Sequence, residues 1–409
     1  MQDKLNEYAK LLVEVGLAVQ KGQTLVIASP VECAPFARLC ASAAYAVGCR
    51  EVVMNWSDDM LARERYLRAD DAVFDEVPEW NKHLYNDYAA QGAAYLAISA
   101  KDPEAFKGVD PKRISRSQIA RYTALDPFYS AQMANELPWC IGSVPIPSWA
   151  KKVFPDVRER EAVEQLWDAI FEAVRVTGDG KAVERWRAHL DTLDRHTKRL
   201  NELHFRTLHY SNSLGTDLTI ELPEDHVWSA GAATNSKGQT FVPNMPTEEI
   251  FTAPLKTGVN GVVYAALPLV INGNVADRFR FVLKDGRIVE THAETGEEFL
   301  REAIAVDGNA SYLGEVALVP YDSPISNQGI LYYNTLFDEN ARCHLAFGRA
   351  YPECVRGGEK MSNDELAAHG LNISAAHDDF MIGTADLSIV GTTYGGEQVP
   401  VFTDGNFAI

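Results

Sequence analysis

The sequence lacks several features that define large classes of proteins. It contains no run of about 18 apolar residues, so no membrane-spanning helix is expected. Its first residues are charged and lack the apolar core of a secretion signal. Lys and Arg number 38 against 57 Asp and Glu, which gives a formal net charge of −19 and argues against a phosphate-binding face. We therefore expect a cytoplasmic protein that binds neither membranes nor nucleic acids.

Cysteine and glycine-rich motifs are also scarce. The six cysteines are scattered through 409 residues without the paired spacing of a zinc site. In a cytoplasmic protein such cysteines are expected to be reduced and buried. Residues 29–32, which follow the first apolar strand, contain neither the glycines nor the lysine of a phosphate-binding loop. This absence argues against nucleotide binding by the first half of the chain.

The first half alternates between helical and strand patterns. Hydrophobic periodicity predicts, in order, a helix over 5–19, a strand over 24–28, a helix over 34–46 and strands over 51–55 and 94–98. Such β-α-β alternation favours a parallel sheet covered by helices. Residues 138–149 are rich in Pro and Trp and are interpreted as an irregular connection. A long charged helix over 181–202 ends this half, so residues 1–205 are predicted to form an N-terminal α/β domain.

The second half changes to a period of two. Apolar residues alternate with polar ones over 218–222 and 279–283, and Asp285-Gly286 follows the second segment as a hairpin turn. Two Asn-Gly pairs, 260–261 and 272–273, predict further turns. Residues 206–409 are therefore predicted to form a C-terminal α+β domain that is rich in antiparallel strands.

Two capping-box motifs predict short helices in this second half. One runs from Thr295 to Glu298 and the other from Ser362 to Glu365. In such a motif the hydroxyl of the first residue accepts a hydrogen bond from the backbone N–H three residues later, and the carboxylate of that later residue accepts one from the backbone N–H of the first.

The clearest chemical signal is the pair His377 and Asp379 within residues 376–383. Side chains two apart on a strand point to the same face, so an imidazole and a carboxylate would stand side by side. Four further acids or imidazoles occur near apolar residues upstream: Glu249, Glu315, Glu339 and His344. Buried carboxylates are unfavourable unless they are paired or bind a metal. Several together indicate a cation, and their oxygen and nitrogen ligands suit Zn, Co or Mn.

The same stretches, together with residues 15–24, carry a resemblance to a known family. The chain resembles the thermophilic-type aminopeptidases of peptidase family M29, which are metallopeptidases with two metal ions. The resemblance extends over nearly the whole chain. It implies that the metal ligands are Glu249, Glu315, Glu339, His344, His377 and Asp379, with Glu315 as the natural bridging carboxylate.

The resemblance also implies catalytic roles. A site tyrosine of the family matches Tyr351, whose phenol would hydrogen-bond the scissile carbonyl or the developing oxyanion. Glu249 or Glu315 would act as general base, and the sequence does not decide between them. Two neighbouring acids leave alternatives open. Asp378 would exchange roles with Asp379 if the strand were bulged, and Glu248 carries the same ambiguity beside Glu249.

The resulting prediction is a metal-dependent aminopeptidase that removes N-terminal residues from peptides with a free N-terminus. Its dinuclear metal site would lie in the C-terminal domain, and the N-terminal domain would shape access and contribute to dimerisation. The resemblance further implies a homodimer whose active sites face an internal cavity. The alternatives are another dinuclear metallohydrolase, acting on a non-peptide amide or an ester, and a binding protein without catalytic activity.

Overall fold

The computed structural model describes residues 1–100, 102, 104–271 and 274–409. The chain forms two compact units. The first contains Met1–His189 and Ala232–Pro246, and the second contains Leu190–Gly231 and Thr247–Ile409. The sequence pattern places one boundary near residue 205. In the structure the division falls inside a long helix instead, and the segment Ala232–Pro246 belongs to the first unit.

The α-helices of the described chain are, in order, α1 Gln2–Leu11, α2 Ala34–Ala46, α3 Asp59–Arg68, α4 Glu79–Lys82, α5 Tyr88–Ala90, α6 Pro111–Ala124, α7 Asp126–Met133, α8 Pro147–Val153, α9 Glu159–Ala173, α10 Ala182–Leu203, α11 Glu297–Ala303, α12 Thr335–Asp338 and α13 Asn363–Ala368. The helix predicted over 5–19 continues beyond α1 only as a π-helix, Leu12–Gly16. Within the described residues, no helix is both long and apolar enough to cross a membrane.

The strands are, in order, β1 Thr24–Pro30, β2 Glu51–Ser57, β3 Ala94–Ser99, β4 Trp139–Ser143, β5 Phe205–Ser211, β6 Asp217–Glu221, β7 Ser229–Ala230, β8 Ala233–Thr234, β9 Thr240–Phe241, β10 Ile250–Thr252, β11 Val259–Tyr264, β12 Leu269–Ile271, β13 Asn274–Lys284, β14 Arg287–Thr295, β15 Leu313–Leu318, β16 His344–Gly348, β17 His377–Met381, β18 Ser388–Thr393, β19 Gln398–Thr403 and β20 Asn406–Phe407.

The first unit contains the predicted parallel sheet. Its four strands lie in the order β2-β1-β3-β4, and every pair is parallel. The interpretation of residues 138–149 as irregular is wrong, because this segment contains β4 and the start of α8. Its prolines do not prevent either element. Pro138 precedes an edge strand, and Pro147 begins α8, where its missing N–H has no helical partner to lose.

The second unit contains two antiparallel sheets. The larger has nine strands, in the order β12-β13-β11-β6-β5-β18-β19-β20 with β14 beside β13. The smaller has five strands, in the order β17-β16-β15-β10-β7. The apolar faces of the two sheets share one core, in which Phe279 and Phe281 of β13 contact Phe380 of β17 at ring separations of 5.9 and 5.3 Å. The predicted richness in antiparallel strands is confirmed.

The turns of this unit follow the sequence signals unevenly. Asp285 and Gly286 both have left-handed φ values, 49° and 81°, and they connect β13 to β14 as predicted. Asn260-Gly261 lies inside β11, so that turn prediction is wrong. The Asn-Gly pair at 272–273 lies outside the described residues.

The two capping motifs also differ in outcome. Ser362 and Glu365 form both bonds of the capping box at the start of α13. Thr295 does not cap α11, because it is the last residue of β14 and pairs with Asp277 of β13. Gly296 occupies the N-cap position of α11 instead.

The five-stranded sheet presents two different faces. Residues directly opposite each other on paired strands share a face. The face toward the core contains Val316, Leu345, Phe347 and Phe380, all fully buried. The other face contains acids, histidines and small residues: Glu315, Ala317, His344, Ala346, Gly348, His377 and Asp379. The sheet therefore carries the predicted site residues on the face opposite its hydrophobic core.

We expect the shared core to dominate the stability of the second unit. Phe281 is fully buried and contacts Phe279, Phe347 and Phe380. The substitution Phe281→Ala should lower the free energy of unfolding by about 3–5 kcal/mol, since it removes a buried ring and leaves a cavity. Urea denaturation followed by circular dichroism measures this loss. Val289→Ala, on the exposed side of β14, is the control and should change stability by less than about 0.5 kcal/mol.

Candidate metal centre

His377 and Asp379 lie on the edge strand of the smaller sheet, and their side chains share a face. They stand opposite Gly348 and Ala346 of β16, and the pairing of β16 with β17 has no register shift. Asp378 stands opposite Phe347 and therefore points to the other face. A bulge that would exchange Asp378 and Asp379 is not observed. The His377 Nε2 atom is 3.4 Å from Oδ1 of Asp379.

Glu315 is at the centre of the cluster. It lies on β15, 5% exposed, and its two carboxylate oxygens face different histidines. Oε1 is 3.8 Å from Nε2 of His344, and Oε2 is 3.2 Å from Nε2 of His377. Glu315 belongs to two groups of three residues, and in each group the three ligand atoms lie within 4.8 Å of one another. One contains Glu249 and His344, and the other contains His377 and Asp379.

Glu249 and Glu339 complete the set from outside the strands. Glu249 immediately precedes β10, and its Oε2 is 3.4 Å from Nε2 of His344. Glu248 is buried but belongs to neither ligand group. Glu339 begins a 3-10 turn, Glu339–Ala341, and lies near enough to the other carboxylates for their charges to act on it. The structure thus brings five of the six predicted ligands into two groups that share Glu315, and it places Glu339 near enough for its charge to interact with theirs.

Both histidines are oriented by backbone carbonyl groups. Nδ1 of His344 lies 3.1 Å from the carbonyl oxygen of Arg342, and Nδ1 of His377 lies 2.7 Å from that of Arg349. A carbonyl only accepts hydrogen bonds, so each Nδ1 carries a proton and each Nε2 is directed toward the carboxylates. This is the arrangement in which a neutral histidine presents Nε2 to a metal ion. The sequence pattern did not predict the contacts of these histidines with the carbonyl groups of Arg342 and Arg349.

The electrostatics of the cluster favour a bound cation. Burial, together with the charges of Asp379 and Glu249, raises the pKa of Glu339 well above its usual range. Burial also raises the pKa of Glu249. Burial acts in the same direction on Glu315, but its contacts with the His344 and His377 imidazoles outweigh burial and lower its pKa to about 2. Oδ1 of Asp379 is buried and has no hydrogen-bond partner among the described residues, although Nε2 of His377 lies 3.4 Å away.

These features fit a metal-binding role for the donor set. Several carboxylates crowd together with no Lys or Arg paired to them in the described cluster, and one buried oxygen lacks a partner. The Nε2 atoms of two histidines face the same space. Burial opposes the charged form of both, but hydrogen bonds and charges from the neighbouring carboxylates raise the pKa of His344 and His377 well above the usual range, so a bound metal ion would replace the Nε2 protons. Carboxylate and imidazole ligands of this kind bind divalent transition metals.

Tyr351 borders the cluster on one side. Its ring is 4.9 Å from that of His377 and 5.8 Å from that of Phe251. Burial and the charges of Glu315 and Asp379 raise the pKa of Tyr351 well above its usual value. The phenol is therefore protonated at neutral pH and is available as a hydrogen-bond donor beside the acidic cluster.

A buried carboxylate and histidine cluster with a neighbouring phenol is typical of metal-dependent hydrolases. A family model described as thermophilic metalloprotease (M29) matches residues 1–407 of the chain. The chain is 45% identical to aminopeptidase AmpS of Bacillus subtilis (strain 168) over 405 residues, which are 99% of this chain and 98% of that protein. It is also 45% identical to aminopeptidase 2 of Geobacillus stearothermophilus over 407 residues, 100% of this chain and 98% of that protein.

A solved structure supports the same conclusion. Wild-type AmpT from Thermus thermophilus superimposes with a TM-score of 0.93 at 37% identity, and all of both chains is covered. The chain belongs to the M29 family of metalloproteases. The identification made from the sequence motifs, and with it the enzyme class of a hydrolase of the metallo-aminopeptidase type, is confirmed.

The crowding of acids predicts opposite effects of one substitution on stability and on metal binding. In metal-free protein, Glu339→Gln should raise the unfolding midpoint, because it removes a carboxylate that is disfavoured by burial and by Asp379 and Glu249. Each kcal/mol regained corresponds to about 2–4 °C in a unit of this size. The same substitution should weaken metal binding. Differential scanning fluorimetry with and without added metal measures both effects.

The surface substitution Glu298→Gln, in the first turn of α11, serves as the control because it removes the same charge at a distance from the cluster. It should leave both midpoints nearly unchanged. A lower midpoint for metal-free Glu339→Gln would contradict the electrostatic interpretation.

Proposed function

We propose that the cluster would hold two divalent cations with Glu315 as a shared ligand, and that the protein is a two-metal aminopeptidase. The position of Glu315 carries this proposal, since its two oxygens face His344 and His377 separately. One cation would be held by Glu249, Glu315 and His344, and the other by Glu315, His377 and Asp379. Glu339 lies near both groups as a further ligand.

The balance of charge supports two ions rather than one. The four carboxylates, Glu249, Glu315, Glu339 and Asp379, carry four negative charges when they are ionised, and the two histidines would be neutral once a metal ion replaces the protons on their Nε2 atoms. Two divalent cations neutralise this set. A single divalent cation would leave two of these negative charges to be balanced by protons on the histidine and the carboxylate that it does not bind. The mixed oxygen and nitrogen shell suits Zn, Co or Mn.

The surrounding residues have distinct roles in peptide hydrolysis. When bound, a pair of divalent ions polarises the scissile carbonyl and activates a water molecule. We assign Glu249 as the general base, because it faces a histidine through one oxygen, whereas both oxygens of Glu315 are engaged. Glu249 accepts a proton as the water oxygen bonds to the carbonyl carbon. It returns this proton to the leaving nitrogen as the C–N bond breaks.

Tyr351 would stabilise the negative charge that develops on the carbonyl oxygen. A phenol is protonated at neutral pH, so its hydroxyl would donate a hydrogen bond to this oxygen. Its ring is held between His377 and Phe251, which restricts its orientation.

The substrates we propose are peptides with a free N-terminus. The relatives at 45% identity are named aminopeptidases, and their names favour this substrate class over a non-peptide amide or an ester. The chain's net charge of −19 would also attract the α-ammonium group of such a peptide. The homodimer and the cytoplasmic location implied at the sequence level stay predictions, as do the roles of the N-terminal domain in access and dimerisation.

Chelation followed by addition of single metals tests the proposed activity. Purified protein is treated with chelator, and hydrolysis of aminoacyl-p-nitroanilides is measured after addition of Zn, Co, Mn or Mg. We expect activity to disappear on chelation, to return with a transition metal, and to be absent on N-acetylated substrates. Metal analysis of the active protein should approach two ions per chain. Activity that resists chelation would contradict the metal mechanism, and equal rates on acetylated substrates would favour an amidase or esterase.

Tyr351→Phe tests the role of the phenol. This substitution keeps the ring contacts with His377 and Phe251 but removes the hydroxyl. We expect kcat to fall by about 10²–10³, as for loss of one oxyanion donor, with little change in metal content. Tyr210→Phe is a matched control, because Tyr210 is fully buried in the sheet core and its hydroxyl has no hydrogen-bond partner among the described residues. Unchanged kcat in Tyr351→Phe would remove this residue from the mechanism.

A further inference from the structure

Asn340 is a fully buried polar residue that touches two segments carrying predicted metal ligands. It follows Glu339 in the 3-10 turn Glu339–Ala341 and has no exposed surface. Its side chain faces the segment before β10, which contains Glu248 and Glu249. These two segments lie about ninety residues apart in the chain. Nothing in the sequence pattern around Asn340 indicates this contact.

The amide group of Asn340 is engaged at both ends. Its Oδ1 accepts a hydrogen bond from the backbone N–H of Glu248 at 2.7 Å. Its Nδ2 donates to the carbonyl oxygen of Leu336 at 2.9 Å, and lies 3.5 Å from Oε1 of Glu339. An asparagine offers one acceptor and two donors, so this environment uses both kinds of group.

These bonds act on the two ligands that no strand holds. Glu315, His344, His377 and Asp379 are fixed by the ladder of the smaller sheet. Glu249 precedes β10, and Glu339 lies in a short turn, so neither is held by strand pairing at its own position. The two carboxylates also repel each other. A neutral tie between their backbones opposes this repulsion without adding another charge to the cluster.

We propose that Asn340 is a positioning residue for the metal centre, which holds the segments of Glu249 and Glu339 at the separation that metal binding requires. This proposal rests on the proposed metal-binding function. Asn340 acts through the two carboxylates and is not assigned a contact with substrate. Groups that orient metal ligands from outside commonly change metal affinity about 10- to 100-fold when they are removed.

The test uses cobalt(II) binding to the full chain after removal of other metals. Two variants are compared with wild type: Asn340→Ala, and Asn340→Leu, which fills most of the same volume without the amide. We expect both to bind cobalt about 10- to 100-fold more weakly in competition with a chelator. We also expect the visible absorption band of the cobalt-loaded protein to change, because the ligands no longer keep their geometry.

Asn201→Ala is the matched control. Asn201 bonds the backbone N–H and carbonyl of Trp228 in the same unit, so the substitution removes the same kinds of hydrogen bond away from the cluster. It should lower the unfolding midpoint of the metal-free protein while the cobalt affinity and spectrum stay as in wild type. If Asn340 had a purely structural role, its variants would likewise have a lower unfolding midpoint with unchanged cobalt affinity and spectrum.

Three results distinguish failure of the positioning role, failure of the metal centre and support for the proposal. Wild-type cobalt affinity and spectrum in both folded Asn340 variants would reject the positioning role and leave the metal centre intact. Failure of wild type itself to bind cobalt would reject the metal centre and this role with it. A loss of affinity with an altered spectrum in Asn340→Leu, which preserves the packing volume, would support the role even if Asn340→Ala fails to fold.

Discussion

The confinement of several carboxylates in a small buried space is the constraint on which the second unit depends. Glu249, Glu315 and Glu339 lie near Asp379, and burial acts against the ionised form of each glutamate. Like charges in such surroundings oppose folding in the absence of a cation. The aromatic core between the two sheets must therefore offset this electrostatic cost, because the same strands carry the acidic cluster on one face and core residues on the other.

Strand register determines which residues meet in this space. A slip of one residue would turn every side chain of a strand to the other face. Such a slip in β17 would replace His377 and Asp379 on the site face by Asp378 and Phe380. It would also remove Phe380 from its contacts with Phe279 and Phe281. The penalty for losing these core contacts keeps β17 in register, and the core thereby specifies the positions of the site residues.

The sequence was most informative where a local pattern decides the structure. The β-α-β alternation of the first half, the Asp285-Gly286 turn and the cap of Ser362 depend on residues close together in the chain. Local patterns gave wrong predictions in two places. Thr295 pairs within the sheet instead of capping a helix. Over 138–149 the prolines lie at positions where a strand and a helix tolerate them. The spacing of His377 and Asp379 indicated a shared face, whereas the remaining predicted ligands were assigned from a resemblance to a family. The bonds of Asn340 and the carbonyl contacts of both histidines join distant segments, so no local pattern could predict them.

The arrangement separates the tasks of holding ligands and of orienting them. Strands β15, β16 and β17 fix the backbone of four predicted ligands, and this rigidity costs little because the same hydrogen bonds stabilise the sheet. Backbone carbonyls then select the histidine tautomer without introducing any charge. An acidic side chain in place of the carbonyl would also select this tautomer, but it would add to the excess of negative charge already present. Neutral partners such as carbonyl and carboxamide groups are therefore the ones that such a crowded acidic cluster can tolerate around its ligands.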